Sequence, residues 1–192
     1  MTTLLERSVT SPPHRIDVDE YYRLAEIGVL SPKSRVELIE GEIVDMAPIG
    51  SDHGGMTIRL TRLVARALAN GSVSVSVQGP LRLDRHSEPQ PDVMLLRPRP
   101  DDYRGGHPTP TDVLLLVEVA DSSLDYDRGP KLDLYARHDV PEVWIVDLPG
   151  RALEVCKEPG PDGYRSRERL TGGTITPALV PDLAIDLAAL LA

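Results

Sequence analysis

Apolar residues recur along this chain with two different periods, and the changes between them mark out its elements. In "HGGMTIRLTRLVARALAN", residues 53–70, Met56, Leu60, Leu63, Val64 and Ala67 fall at helical spacing and Gly71 follows, which predicts an amphipathic helix. "IDVDEYYRLAEIGVL" predicts a shorter, earlier helix, with Asp17 placed as its N-cap, Glu20 at the capping-box position and Gly28 beyond its end. Between the two, "RVELIEGEIVDMAP" carries two short β-rich runs around Glu40-Gly41, the pattern of a hairpin.

Period-two and fully apolar runs dominate the rest. "SVSVSVQGPLRLDR" alternates Val and Ser as a half-buried strand does, then turns at Gly79-Pro80 into a second run. "PDVMLLRP" predicts another strand, opened by Asp92, and residues 99–112, rich in Pro, Gly and Asp, form a flexible rim before "VLLLVEVADSS". "DRGPKLDLYARHD" predicts a helix with Pro130 in its first turn, and "PEVWIVDL" a buried strand. "RALEVCKE" and "GYRSRERL" add two strands, and "LAIDLAALLA" a short terminal helix. Strands interleaved with helices make this an α/β chain.

Length and composition narrow the class. The 192 residues suit a single domain, residues 17–192, preceded by a flexible segment, residues 1–16. Phenylalanine is absent, so the core must be aliphatic. No run approaches the ~20 apolar residues of a membrane span and the start lacks the apolar stretch of a secretory signal, so a cytoplasmic protein away from membranes is expected. A single cysteine, Cys156, excludes an internal disulfide and a zinc site built on several thiolates. The net charge of −9 argues against a surface given over entirely to nucleic acid, while allowing a local groove. Nucleophilic catalysis has no evident carrier, because there is no Gly-x-Ser-x-Gly elbow and Cys156 has no obvious histidine partner.

Glu118, set inside the most apolar run, carries the chemical signal. Strand alternation puts Leu114, Leu116, Glu118 and Ala120 on one face, where an isolated ionised carboxylate costs several kcal/mol. Glu118 must therefore be neutral, ion-paired within the fold, or bound to a metal. Asp92, on the preceding strand, supplies a second carboxylate. Neighbouring strands would let the two converge on one cation, and a pair of carboxylates suits magnesium or manganese better than zinc. Lys131 is the third candidate. It falls in a first helical turn, where the macrodipole disfavours a cation, so helix stability does not explain it; it is either a surface lysine or a group aimed at the end of the Glu118 strand. Tyr135, one turn on, shares its face. Arg59, Arg62 and Arg66 fall together away from the apolar stripe of their helix, as a solvated face or as contacts to a DNA backbone.

The order of "ELIEGE", His53 opening a helix, "QPDV", "LLVEVADSS", "DRGPKLDLYA" and "VPEVWIVD" resembles the Uma-type family of putative restriction endonucleases, a branch of the PD-(D/E)XK nuclease superfamily, over roughly residues 17–150. The resemblance implies a restriction-endonuclease-like α/β core: a central mixed β-sheet flanked by helices, with an N-terminal helix and β-hairpin and extra C-terminal strands. It implies Asp92 and Glu118 as ligands of Mg2+ or Mn2+ and hydrolysis of DNA phosphodiester bonds by a chain that pairs as a homodimer; beside it, the Val119 carbonyl is read as an extra ligand of the ion. It places His53 at the mouth of the site, a residue otherwise read as a core histidine. Glu37 is either a further carboxylate there or an ordinary strand-surface glutamate. One departure matters: the superfamily's usual lysine, two residues after the Glu, is Ala120 here, and Lys131 is the natural substitute. Two rivals stand beside a metal-dependent endonuclease: a catalytically inactive nuclease fold used for binding or scaffolding, and a phosphodiesterase acting on RNA or nucleotides.

Overall fold

The structure, a computed structural model, describes residues 12–31, 33–67 and 72–192. Helix α1 (Val18–Glu26) begins where the sequence places it. Asp17 accepts from the Glu20 backbone N–H at 2.8 Å while the Glu20 carboxylate accepts from the Asp17 N–H at 3.0 Å, a complete capping box. Strands β1 (Val36–Ile39) and β2 (Glu42–Asp45) pair antiparallel across Glu40 and Gly41, both with positive φ, as a tight hairpin turn requires. The turn sits on the chain before α1: Ile16 donates to the Gly41 carbonyl at 3.0 Å. Residue 16 is thus tied down rather than part of a flexible segment, while residues 1–11 lie outside the described residues.

Helix α2 (Ser51–Ala67) carries the amphipathic stripe, with Met56, Leu60 and Val64 buried; the expected end at Gly71 lies outside the described residues. The central sheet has six strands in the order β3 (Ser74–Val77), β4 (Val93–Leu96), β5 (Val113–Ala120), β6 (Glu142–Asp147), β7 (Ala152–Lys157), β8 (Ser166–Leu170). All neighbours are antiparallel except β5 and β6. A parallel pair needs a crossover, which the helices between β5 and β6 provide, and strands covered on both faces become continuously apolar. Every residue of β5 and β6 is buried.

Two cores result. On one face α2 packs with Val117, Val119, Trp144 and Val146, closed by the C-terminal segment. That segment contains the small ribbon β9 (Thr174–Ile175) with β10 (Ile185–Asp186), and helix α5 (Leu187–Leu191). On the other face Leu116, Ala120, Val143 and Ile145 meet Leu132, Tyr135 and Ala136, together with Leu81 and Leu83.

Three expectations from the sequence are corrected. The run after Gly79-Pro80 forms no strand. Leu81 donates to the Pro89 carbonyl and Leu83 to the Ser87 carbonyl, so the chain folds back on itself, and prolines at 80, 89 and 91 withhold the donors a ladder needs. Leu114 does not share the face of Leu116, because the β4–β5 register shifts between Leu95 and Leu96 and Leu114 packs on the α2 side. The helix expected over 127–139 starts earlier, as α3 (Leu124–Tyr126). It then breaks in a wide turn, Asp127–Lys131, before α4 (Leu132–Arg137). Gly129 leaves helical geometry there (φ −109°, ψ −106°), because a residue before proline is disfavoured in the α region.

Candidate active site

Asp92 directly precedes β4 rather than opening it, since its side chain replaces a backbone acceptor. Oδ2 accepts from the Val119 backbone N–H at 2.9 Å, and Oδ1 accepts from the Gln78 amide at 3.3 Å. His53 Nε2, from the first turn of α2, lies 3.0 Å from Asp92 Oδ2. The Asp92 N–H points to Glu118 Oε2 at 3.4 Å, so the two carboxylates lie together at the ends of adjacent strands.

Glu118 is buried and flanked from the other side. The Tyr135 hydroxyl donates to Oε1 at 2.6 Å, and Lys131 Nζ lies 3.1 Å from the same oxygen. Lys131 also lies 3.3 Å from Glu37 Oε2, which accepts from the Gln90 N–H at 3.0 Å. The break at Gly129-Pro130 makes this convergence possible: it restarts the helix with Lys131 turned inward, buried rather than on the surface. Glu37 is likewise buried, not a strand-surface residue.

Burial and neighbours drive the two carboxyl groups apart. Burial pushes Glu118 up to about 8, against the opposing pull of Lys131 and Tyr135. Burial also opposes ionisation of Asp92, but His53, the Val119 N–H and Gln78 outweigh it and hold Asp92 below the usual carboxylate range. Burial lowers Lys131, but Glu118, Glu37 and Asp127 outweigh it and hold the ammonium above the usual lysine range. The hydrogen bond to Asp92 raises His53.

All these groups except Tyr135 and Gln78 line one cleft of about 340 Å³, between the hairpin, α2 and the Asp121–Lys131 segment. Among the described residues, no group of three or more His, Cys, Asp or Glu side chains is arranged to hold a metal ion by itself. An ion here would rest on Asp92 and Glu118 and complete its shell with water and substrate oxygens, as magnesium commonly does, so the donor set fits a hard divalent cation. His53 Nδ1 and the Tyr126 hydroxyl, both from residues of the cleft, are buried without a hydrogen-bond partner among the described residues.

The structure thus brings Asp92, Glu118, Lys131, His53, Glu37 and Tyr135 together. It does not bring the arginines of α2 to them. Arg59 donates to the Leu190 carbonyl at 3.0 Å and to that of Ala192, tying α5 to α2, while Arg62 and Arg66 are exposed away from the cleft. Sequence reading missed Gln78, Gln90, Arg35, Tyr126 and Asp127. Each sits in a loop, at a strand edge, at the end of the short α3 or in the wide turn, where no periodicity singles it out.

Comparison with known proteins follows the same lines. A solved structure, a putative nuclease belonging to DUF820 from Anabaena variabilis ATCC 29413, is similar with a TM-score of 0.70 at 14% identity, over 92% of this chain and 97% of that one. No curated protein matches the sequence significantly. Among the described residues, no helix is long and apolar enough to cross a membrane. Residues 18–188 match the Uma2 family, described as a putative restriction endonuclease. With nearly the whole chain covered by that match, this protein belongs to the Uma2 family.

Proposed function

We propose that this protein is a metal-dependent endonuclease that hydrolyses DNA phosphodiester bonds at the cleft of Asp92 and Glu118. The observation that carries the reading is the buried Glu118 beside Asp92, on adjacent strands at a cleft floor, with Lys131 Nζ at 3.1 Å. Asp92 and Glu118 would hold magnesium or manganese, which when bound polarises the scissile phosphate and lowers the pKa of an attacking water. His53 orients the Asp92 carboxylate from one side, and Tyr135 orients Glu118 from the other. Lys131 supplies the positive charge that the superfamily's usual lysine, replaced here by Ala120, would bring. Its ammonium stands where it can stabilise charge gathering on the phosphoryl oxygens.

The test is nicking or linearisation of supercoiled plasmid with magnesium or manganese, beside an EDTA control and Glu118→Gln. Cleavage lost in both controls supports the reading. Cleavage that survives Glu118→Gln assigns the activity to another site or to a contaminant. No cleavage of plasmid, with cleavage of an RNA, moves the substrate class. Inertness toward both favours a binding or scaffold role for the fold.

A further inference from the structure

The cleft is strongly acidic for a phosphate-binding site. Six carboxylates line it against two cationic side chains, Arg35 and Lys131. Lys131 is already committed to Glu118 and Glu37. A phosphodiester approaching Asp92 and Glu118 is therefore helped, besides Lys131, by a cation with no ion pair among the described residues and by a donor that burial has left without a partner there.

Arg35 is that cation. Its backbone carbonyl accepts from the Met46 N–H at 2.8 Å, which extends the hairpin ladder by one residue. Strand alternation then puts Arg35 on the face of Glu37, roughly 7 Å along the strand, toward the cleft. One guanidinium arm donates to the Ala47 carbonyl at 3.1 Å, and among the described residues no carboxylate is ion-paired with it. The guanidinium is thus held in place with most of its fork free. Tyr126 supplies the donor. Its hydroxyl is buried, has no partner among the described residues and lies in the field of Glu37, Lys131 and Asp127. Burial, reinforced by Glu37, raises this phenol to about 12, so it keeps its proton. A buried hydroxyl without a partner is destabilising, and a ligand oxygen would relieve that.

We infer that Arg35 and the Tyr126 hydroxyl together hold a phosphate oxygen of the substrate over the Asp92–Glu118 pair. The inference rests on the proposed phosphodiester chemistry and names the residues that bind the substrate's charge. Arg35 brings fork geometry and positive charge; Tyr126 brings a neutral donor that fixes the oxygen's position.

The experiment measures fluorescence anisotropy of a fluorescein-labelled DNA duplex, with calcium in place of magnesium, for the parent, Arg35→Ala, Arg35→Lys and Tyr126→Phe. Tyr126→Phe should weaken binding about tenfold without lowering the thermal midpoint, because its hydroxyl has no partner among the described residues. Arg35→Ala should weaken it at least as much and reduce the slope of log K against log salt by about one; Arg35→Lys should restore that slope without full affinity. Tyr126→Phe should leave the slope alone, a split that a merely structural role would not give. Parent-like binding by Tyr126→Phe and Arg35→Ala, or no binding by the parent, overturns the inference. A parent that binds through these residues but cuts no plasmid defeats the nuclease reading and leaves this pair standing. A parent that cuts plasmid while both variants bind as it does defeats only the pair.

Discussion

Replacing Lys131 by methionine tests the electrostatics of the cleft floor most directly. The ammonium lies 3.1 Å from Glu118 and 3.3 Å from Glu37, with all three side chains buried. At pH 9, where Glu118 with its value of about 8 is ionised, an effective dielectric of about 20 makes each contact worth about 5 kcal/mol of Coulomb attraction, much of it offset by the cost of desolvating three charges. Removing the cation leaves that cost in place without the attraction. The expected loss is about 3–5 kcal/mol, a large share of an ordinary domain's stability. Urea unfolding in EDTA at pH 9, above the Glu118 value of about 8, measures it. Trp144 is the only tryptophan and is fully buried, so its fluorescence follows the core of the sheet. Adding Glu118→Gln removes one stranded carboxylate, so the double variant should regain at least about 1 kcal/mol relative to Lys131→Met alone. A single-variant loss under about 1 kcal/mol, or a double variant whose losses simply add, would refute the reasoning and return Lys131 to the status of an uncoupled lysine.

Four further outcomes are expected. Tyr135→Phe removes the 2.6 Å donor to Glu118 and should cost about 1–3 kcal/mol in the same urea assay. Asp17→Ala breaks the capping box of α1 and the 2.7 Å contact to Arg85, and should lower the urea midpoint with an unchanged denaturant slope. Gly41→Ala should lower the thermal midpoint more than Gly28→Ala does. Both glycines have positive φ, but a Cβ at Gly41 would meet Arg15 Cβ at 2.5 Å, while one at Gly28 meets nothing within 4 Å. Magnesium should raise the thermal midpoint of the parent and leave that of Asp92→Asn unmoved, because a ligand stabilises only a fold that can bind it. A parent midpoint indifferent to magnesium and manganese would sink the metal assignment.

Much of this protein was legible in its sequence because local physics wrote it there. Asp17 and Glu20 announce the start of α1, since a capping box involves residues three apart. The stripe of Met56, Leu60 and Val64 announces α2, and the unbroken burial of β5 and β6 follows from apolar runs that only a strand covered on both faces needs. Glu118 stood out for the same reason, as a carboxylate in a setting that cannot hold one alone.

What the sequence could not decide was settled by contacts between residues far apart in the chain. Whether Glu37 faces water or the cleft depends on what lies across the hairpin, and that proved to be Lys131 and the Gln90 N–H. Arg59 shares a helix face with Arg62 and Arg66, yet carbonyls about 130 residues away claim its guanidinium. Lys131 reads locally as a misplaced cation in a first turn; the break at Gly129-Pro130 and two carboxylates on other strands give it its place. Periodicity reports which side of an element is apolar, because that depends on the element alone. The partner of a buried charge depends on how separate elements pack, and only the assembled sheet, hairpin and broken helix decided it here.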